Sequence, residues 1–266
     1  MPAKETISAL ILGDVVGQPG LRALFFSLKS LRKEFNADLV VINGENAADG
    51  YGITPEIAEK MFTSGVDVIT SGNHIWQKRE ILPLMESGAK ILRPNNYPPG
   101  TQGRGYFVLE IRKHKVAVVN LQGRQRLSTI DCPFQSARTL LKTLRNETRI
   151  ILVDFHAEDT EEKEALGMYL DGQVSLVAGT HTHVQTADER ILKGGTAYIT
   201  DLGMTGPSGS VIGFVKEMAL ERALTQMPIR MEVSENPAFI KGVHVVVDAE
   251  TGKAVSIDRV SRQSGY

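Results

Sequence analysis

The chain has 266 residues and a single cysteine, Cys132, so it can close no disulfide within itself and cannot build a cysteine-type zinc site. It also lacks a charge excess. Its 30 Lys and Arg nearly match 31 Asp and Glu, for a formal net charge of −1, and the isoelectric point is near 6.6. That balance carries no electrostatic footprint for duplex nucleic acid or an anionic membrane, while leaving a small anionic substrate open. No apolar run approaches membrane-spanning length. The one nearest the start, Ile7–Leu12, follows Lys4 and Glu5 and leads into Gly13-Asp14, not into a small-residue cleavage site. It reads as the first core strand of a cytoplasmic protein. There is no low-complexity linker and no internal repeat, so residues 1–266 are expected to form one domain around one core.

What is present is an alternation of short apolar runs and amphipathic stretches. Strands are expected at Ile7–Leu12, Leu39–Ile42, Asp67–Ile69, Tyr106–Ile111, Val116–Leu121, Arg149–Asp154, Val174–Ala178 and Ala197–Thr200, then at Ile229–Val233, Phe239–Val247 and Ala254–Val260. Helices are expected at Leu21–Phe35, Pro55–Thr63, Arg79–Ser87, Ser136–Leu144, Glu161–Leu170 and Val215–Thr225. Thr54-Pro55-Glu56 supplies a hydroxyl cap, a proline at the first helical position and an acid in the first turn. Pro83 weakens the third helix, because an interior proline kinks or ends one. Unbroken apolar strands such as Leu39-Val40-Val41-Ile42 are buried on both faces. Parallel β-α units at the front, with hairpins around Arg112–Lys115 and Asp248–Gly252, give a mixed sheet, or two sheets face to face with helices outside.

Ligand-type residues follow five strand ends: Gly13-Asp14, Asn43-Gly44-Glu45-Asn46, Ser71-Gly72-Asn73-His74, Asp154-Phe155-His156 and Gly179-Thr180-His181-Thr182-His183. The carboxyl ends of strands in α/β sheets converge on one crevice, so these groups can meet. Each segment alone has an ordinary reading: Asp14 as a turn residue, Glu45 and Asn46 as stabilisers of a Gly-rich loop, His156 as a hydrogen-bonded core imidazole. His181 and His183 would point to one side of an extended segment and share a metal, or reach two neighbouring metals where the loop bends. Together the five segments point to metal binding. Other motifs fail. Gly13 to Gly20 lacks dinucleotide-fingerprint spacing, and there is no Walker loop. His181–Thr186 lacks the acid of a metallo-β-lactamase run, and Asp14 has no second Asp two residues on, as haloacid-dehalogenase phosphatases would.

These motifs, in this order, resemble those of calcineurin-like metallophosphoesterases. Gly13-Asp14-Val15-Val16-Gly17, Asn43–Ala48, Asp154–Glu158 and Asp201–Pro207 are more specifically similar to the YmdB-like branch. The resemblance implies a four-layer α/β/β/α sandwich of two mixed sheets flanked by helices. It implies two transition-metal ions, iron first with manganese or zinc as alternatives, and phosphodiesterase activity on 2′,3′-cyclic nucleotides such as 2′,3′-cAMP. Asp14, Asn46 and His183 would hold one metal, Asn73, His156 and His181 the other, with Glu45 bridging and His74 at the phosphate. Two ions roughly 3.5–4 Å apart would generate a bridging hydroxide and clamp the attacking and leaving oxygens. Two features depart from the wider superfamily and are shared by this branch: Val16 stands where a ligand histidine is usual, and Glu45 where the bridge is usually Asp. An Asp expected near Gly209 is lacking, which leaves the shape of the pocket rim open.

Arg124, Thr205 and Gly206 are candidates for substrate contact, with a structural ion pair the alternative for Arg124. His114 and His244 read as surface or satisfied sheet residues, and Cys132 receives no role. Phosphomonoesterase or RNA-end-processing chemistry on the same site, or a regulatory protein that binds metal or nucleotide with little turnover, are the other readings. The partner expected is a small phosphodiester, without duplex nucleic acid or membrane, and a homo-oligomer remains open.

Overall fold

The computed structural model describes residues 5–264; Lys4, read above with the opening strand, lies outside them. In chain order the strands and helices begin with β1 (Thr6–Leu12), β2 (Asp14–Val15), α1 (Gly17–Glu34), β3 (Leu39–Asn43), α2 (Pro55–Ser64), β4 (Val68–Thr70) and α3 (Leu82–Glu86). Next come β5 (Tyr106–Ile111), β6 (His114–Gln122), α4 (Pro133–Glu147), β7 (Ile150–His156), α5 (Thr160–Leu170) and β8 (Leu176–Thr180). The chain continues with β9 (Arg190–Ile191), β10 (Ala197–Ile199), β11 (Met204–Pro207), α6 (Lys216–Thr225), β12 (Ala238–Asp248) and β13 (Ala254–Gln263).

The strands form two mixed sheets. One runs β2-β11-β12-β1-β3-β4, with β13 also paired to β12; the other runs β5-β6-β7-β8-β10-β9. Strand alternation divides the apolar side chains into three layers. Leu10, Leu12, Val40 and Ile42 face α1 and α2, while Ile7, Ala9, Ile11, Leu39 and Val41 face the second sheet. There they meet Val116, Val118, Ile150, Leu152, Leu176 and Ala178. The opposite row of that sheet, including Leu121, Val153 and Phe155, packs on α4 and α5. Two mixed sheets between helical layers are thus the fold, as the resemblance implies.

Helix boundaries follow local chemistry. Thr54 Oγ1 accepts from Ile57 N at 3.3 Å to cap α2, and Gly65 closes that helix at φ 111°. Three expectations are corrected. Pro83 sits in the first turn of α3, which begins at Leu82 after a short 3₁₀ turn, instead of interrupting a longer helix, and α4 starts at Pro133, not Ser136, because proline suits the first helical turn. Residues Ile229–Val233 form no strand. Val233 makes one isolated bridge to Phe214, and its side chain instead fills the space over Gly17 and Gly50. The two-residue strand β2 and the four-residue β11 have no counterpart among the expected strands, since neither is long enough to show a period.

Candidate metal centre

Strands β1, β3 and β4 are parallel, as are β6, β7 and β8, and their carboxyl ends meet across the inter-sheet core. All seven candidate ligands lie there. Asp14, Glu45 and His156 are fully buried, Asn46 and His183 nearly so, and Asn73 and His181 are partly exposed. Gly72 lets the β4 loop approach. A Cβ there would sit 2.1 Å from His156 Cδ2, so only glycine allows Asn73 to reach the same imidazole.

The donors fall into two contiguous groups. In one, His156 Nε2 faces Glu45 Oε1 at 3.0 Å, Asn73 Oδ1 at 3.1 Å and His181 Nδ1 at 3.0 Å. One ring nitrogen cannot satisfy three such neighbours by hydrogen bonding, and the facing imidazole nitrogens share a single point. In the other, the Asn46 amide nitrogen lies 3.0 Å from His183 Nε2, 3.5 Å from Asp14 Oδ1 and 3.4 Å from Glu45 Oε1. Asp14 Oδ1 is 3.9 Å from both His183 Nε2 and His156 Nδ1. Glu45 adjoins both groups. Ligand atoms of Glu45, His156 and His181 all lie within 4.8 Å of one another. Carboxylate, amide and imidazole converging in this way fit cations of the borderline transition-metal type. Ligation by Asn46 through oxygen takes a half-turn of its amide, an exchange of two atoms of similar size.

Electrostatics couple the groups. Burial pushes the Glu45 carboxyl up, but the charge and hydrogen bond of His156, with His74 beside it, hold it down to about 2. Burial pushes His156 down, and Glu45, Asp14 and Asp154 together raise it to about 9. Burial and then the charge of His156 push His181 down to about 3. Burial raises Asp14 against the charges of His183 and His156. The cluster thus balances acids against imidazolium, a task that a bound cation takes over.

An extended segment would turn both histidines of the β8 loop to one side. Instead His181 has φ 101° and His183 φ 66°, so the loop bends and sends the rings to different groups. Such backbone costs of order 1–3 kcal/mol per residue and needs support. The support is Asp201, which accepts from Thr182 N at 3.2 Å, Thr182 Oγ1 at 2.8 Å and Gly203 N at 2.8 Å. Lys163 Nζ donates to Asp201 at 2.7 Å, and both residues are 1% exposed. Below His156, its Nδ1 meets Thr180 Oγ1 at 3.0 Å, and Thr180 donates to Asp154 at 2.7 Å, which fixes the ring's orientation. Lys163 and Thr180 are not among the residues that sequence reasoning singles out. The signal for Lys163 was its spacing, in step with buried Leu166 and Leu170 on α5.

His74 stands at the rim. Its backbone N donates to Glu45 Oε2 at 3.0 Å, its Nδ1 meets Asn46 Oδ1 at 2.7 Å, and Tyr51 packs edge-on against its ring. Burial pushes its pKa down, partly opposed by Glu45. Thr205 and Gly206 are buried in β11, whose Met204 and Thr205 pair with Asp14 and Val15. Arg124 stands apart. Its backbone N donates to Glu162, and its side chain lines a cavity of about 370 Å³ with Gln125, Phe134 and Glu161, none of which belongs to the metal cluster.

A family model described as YmdB-like protein matches residues 10–260. The chain belongs to this family. It is 45% identical over 251 residues, 94% of this chain and 95% of the relative, to a 2′,3′-cyclic-nucleotide 2′-phosphodiesterase of Bacillus subtilis (strain 168). A crystal structure of a novel phosphatase from Mycoplasma pneumoniae superposes with TM-score 0.93 at 35% identity, covering 98% of this chain and 94% of that one. A hypothetical protein from Thermus thermophilus superposes with TM-score 0.90 at 39% identity, covering 97% and 100%. As a YmdB-like protein, the chain has relatives named for phosphodiester or phosphate chemistry. No helix among its described residues is long and apolar enough to cross a membrane.

Proposed function

We propose that this YmdB-like chain hydrolyses small phosphodiesters, 2′,3′-cyclic nucleotides foremost, at a dinuclear metal centre. The observation that carries the reading is the arrangement of seven donors in two groups with Glu45 between them. Asp14, Asn46 and His183 would hold one ion, Asn73, His156 and His181 the other, and Glu45 would serve both. When bound, the ions supply Lewis acidity and positive charge against the phosphoryl oxygens. Lys163, Asp201, Thr180 and Asp154 hold the histidines in place, and the buried site keeps bulk water from the charges.

In the reaction water adds to phosphorus, the bond from phosphorus to a ribose oxygen breaks, and that oxygen takes a proton. His74, at the rim beside Asn46, would donate it and recover a proton from the attacking water. With the Asn46 oxygen turned toward Asp14 and His183, the amide nitrogen donates to His74 Nδ1, and the imidazole carries its proton on Nε2. His74→Ala is therefore expected to keep both metals and lose about 10²–10⁴-fold in rate. The loss should be larger with a ribose leaving group than with p-nitrophenolate, which needs no proton. Rates on 2′,3′-cAMP, bis-p-nitrophenyl phosphate and p-nitrophenyl phosphate, with elemental analysis, test this. Turnover of the monoester alone would favour a phosphomonoesterase, and turnover of none a binding protein.

A further inference from the structure

Gln122 ends β6 and is fully buried. Its main chain is satisfied by Asn96, whose Oδ1 accepts from Gln122 N at 2.9 Å and whose Nδ2 donates to Gln122 O at 2.7 Å. Its side chain is only half satisfied. Oε1 accepts from the Tyr97 hydroxyl at 3.5 Å, the edge of hydrogen-bond range, while Nε2 has no partner among the described residues. A buried donor left unmet is a cost that folding alone gives no reason to retain.

The direction of this side chain follows from strand register. Gln122 pairs with His156 in the parallel β6–β7 ladder, and His156 with Thr180 in β7–β8. Residues paired in register present side chains to the same face, one strand spacing or about 4.8 Å apart. The row Val116, Val118 and Asn120 on β6 faces the first sheet, and Asn120 Oδ1 there accepts from Ser71 N. The alternate row, Ala117, Val119 and Leu121, faces α4. Gln122 therefore stands beside His156 on the metal-centre side. Tyr97, which its Oε1 meets, is within the field of Glu45.

An N–H donor is repelled by a cation, so the bound metals cannot be what this amide nitrogen faces. The complement must be an acceptor oxygen. We propose that Gln122 Nε2 is a substrate contact, donating to an anionic phosphoryl oxygen of the ester held at the metal centre. This rests on the phosphoesterase reading of the same site. Tyr97 lies at the other end of the amide, its hydroxyl 3.5 Å from Oε1.

The test is Gln122→Leu, with Gln122→Met as the softer replacement. For a substrate contact, kcat/KM on bis-p-nitrophenyl phosphate falls about tenfold or more, as expected for a lost hydrogen bond to a charged acceptor. The inhibition constant for inorganic phosphate rises by a similar factor and metal content is unchanged. Melting temperature holds or rises, because the unmet donor has gone. Unchanged phosphate inhibition and kcat/KM overturn the contact and leave the amide to water. A lower melting temperature or failure to fold in both variants, with phosphate inhibition unaltered where it can be measured, overturns it in favour of a structural role. If metal-loaded wild-type protein turns over no phosphoester, the function proposed above fails. Calorimetric titration of inorganic phosphate into wild type and Gln122→Leu still decides the contact, and equal affinities, or none in either protein, overturn it.

Discussion

Lys163 and Asp201 form a buried ion pair of 2.7 Å on which the histidine loop depends, and replacing Lys163 by Met separates the pair's energy from its positioning role. Met has similar length and no charge, so Asp201 would be left 1% exposed with its charge uncompensated. Removing one partner of a buried pair costs about 3–5 kcal/mol. In a chain of this size each kcal/mol lowers the melting temperature by roughly 2 °C, so a fall of about 6–10 °C is expected in the metal-free protein. Asp201 also accepts from Thr182 N and Oγ1, between His181 and His183. Any displacement toward water therefore relaxes their left-handed backbone and disperses the ligands. Metal affinity should fall about 10–100-fold, as for other residues that orient ligands. Calorimetric melting after chelation and metal titration by competition with a fluorescent chelator measure the two effects. The double variant Lys163→Met/Asp201→Asn, which removes the stranded charge, should recover part of the melting temperature. A single variant that melts within about 1 °C of wild type with unchanged metal affinity would refute the reasoning. So would a double variant no more stable than the single.

Glu45→Gln removes the charge shared by both donor groups, and activity should fall roughly a hundredfold or more with lowered metal content by elemental analysis. Asn46→Asp keeps an oxygen for a metal but no amide N–H for His74 Nδ1; metal content should persist while turnover of 2′,3′-cAMP falls at least ~10²-fold, more than that of bis-p-nitrophenyl phosphate. Gly72→Ala places a methyl 2.1 Å from His156 Cδ2, and should cost about 1–3 kcal/mol in chemical denaturation together with loss of bound metal. Burial pushes His244 below the usual histidine range, opposed by Asp258 on β13, with Ser8 Oγ at 2.7 Å and the Phe35 ring alongside. Because its folded-state pKa is depressed, the stabilisation is complete above the unfolded value near 6.5 and is lost as pH falls below it, so His244→Gln should flatten the pH dependence of melting in that window.

The sequence revealed strands better than the shape of the loops between them. Leu39–Ile42 and Ile150–Val153 are apolar without interruption, and burial on both faces leaves little else for them to be. Asp14, Glu45, Asn73, His156 and His181 could be placed because each follows such a strand, and strand ends fix position to within a residue or two. The bend at His181 and His183 could not, since it depends on Asp201 and Lys163, which are distant in sequence and meet only after α5 packs on β8. Ile229–Val233 failed for a similar reason. Val233 covers Gly17 and Gly50 and bridges to Phe214 as an isolated residue, and a local pattern cannot distinguish that from strand alternation. Arg124 also follows a strand end, and it lines a cavity with Gln125, Phe134 and Glu161.

The substitution of valine for the usual histidine at position 16 also acquires a physical reason. Val16 is fully buried, and its backbone N donates to Thr205 O at 2.9 Å, which ties it to β11. A Cβ at Gly206 would lie 3.1 Å from Val16 Cβ, and one at Gly213 only 2.7 Å from Val16 Cγ1. The two glycines and the valine are thus fitted to one another, and an imidazole at position 16 would need the volume that the loop after β11 occupies. That loop contributes in another way: the Ile212 carbonyl meets His183 Nδ1 at 2.7 Å and so leaves Nε2 to face Asp14 and Asn46. On the proposed assignment, Asn46 from the β3 loop would stand in for the ring nitrogen absent at position 16. This amide would then serve a metal through its oxygen and His74 through its nitrogen, so the proton position on His74 and the hold on that ion would be a single structural variable.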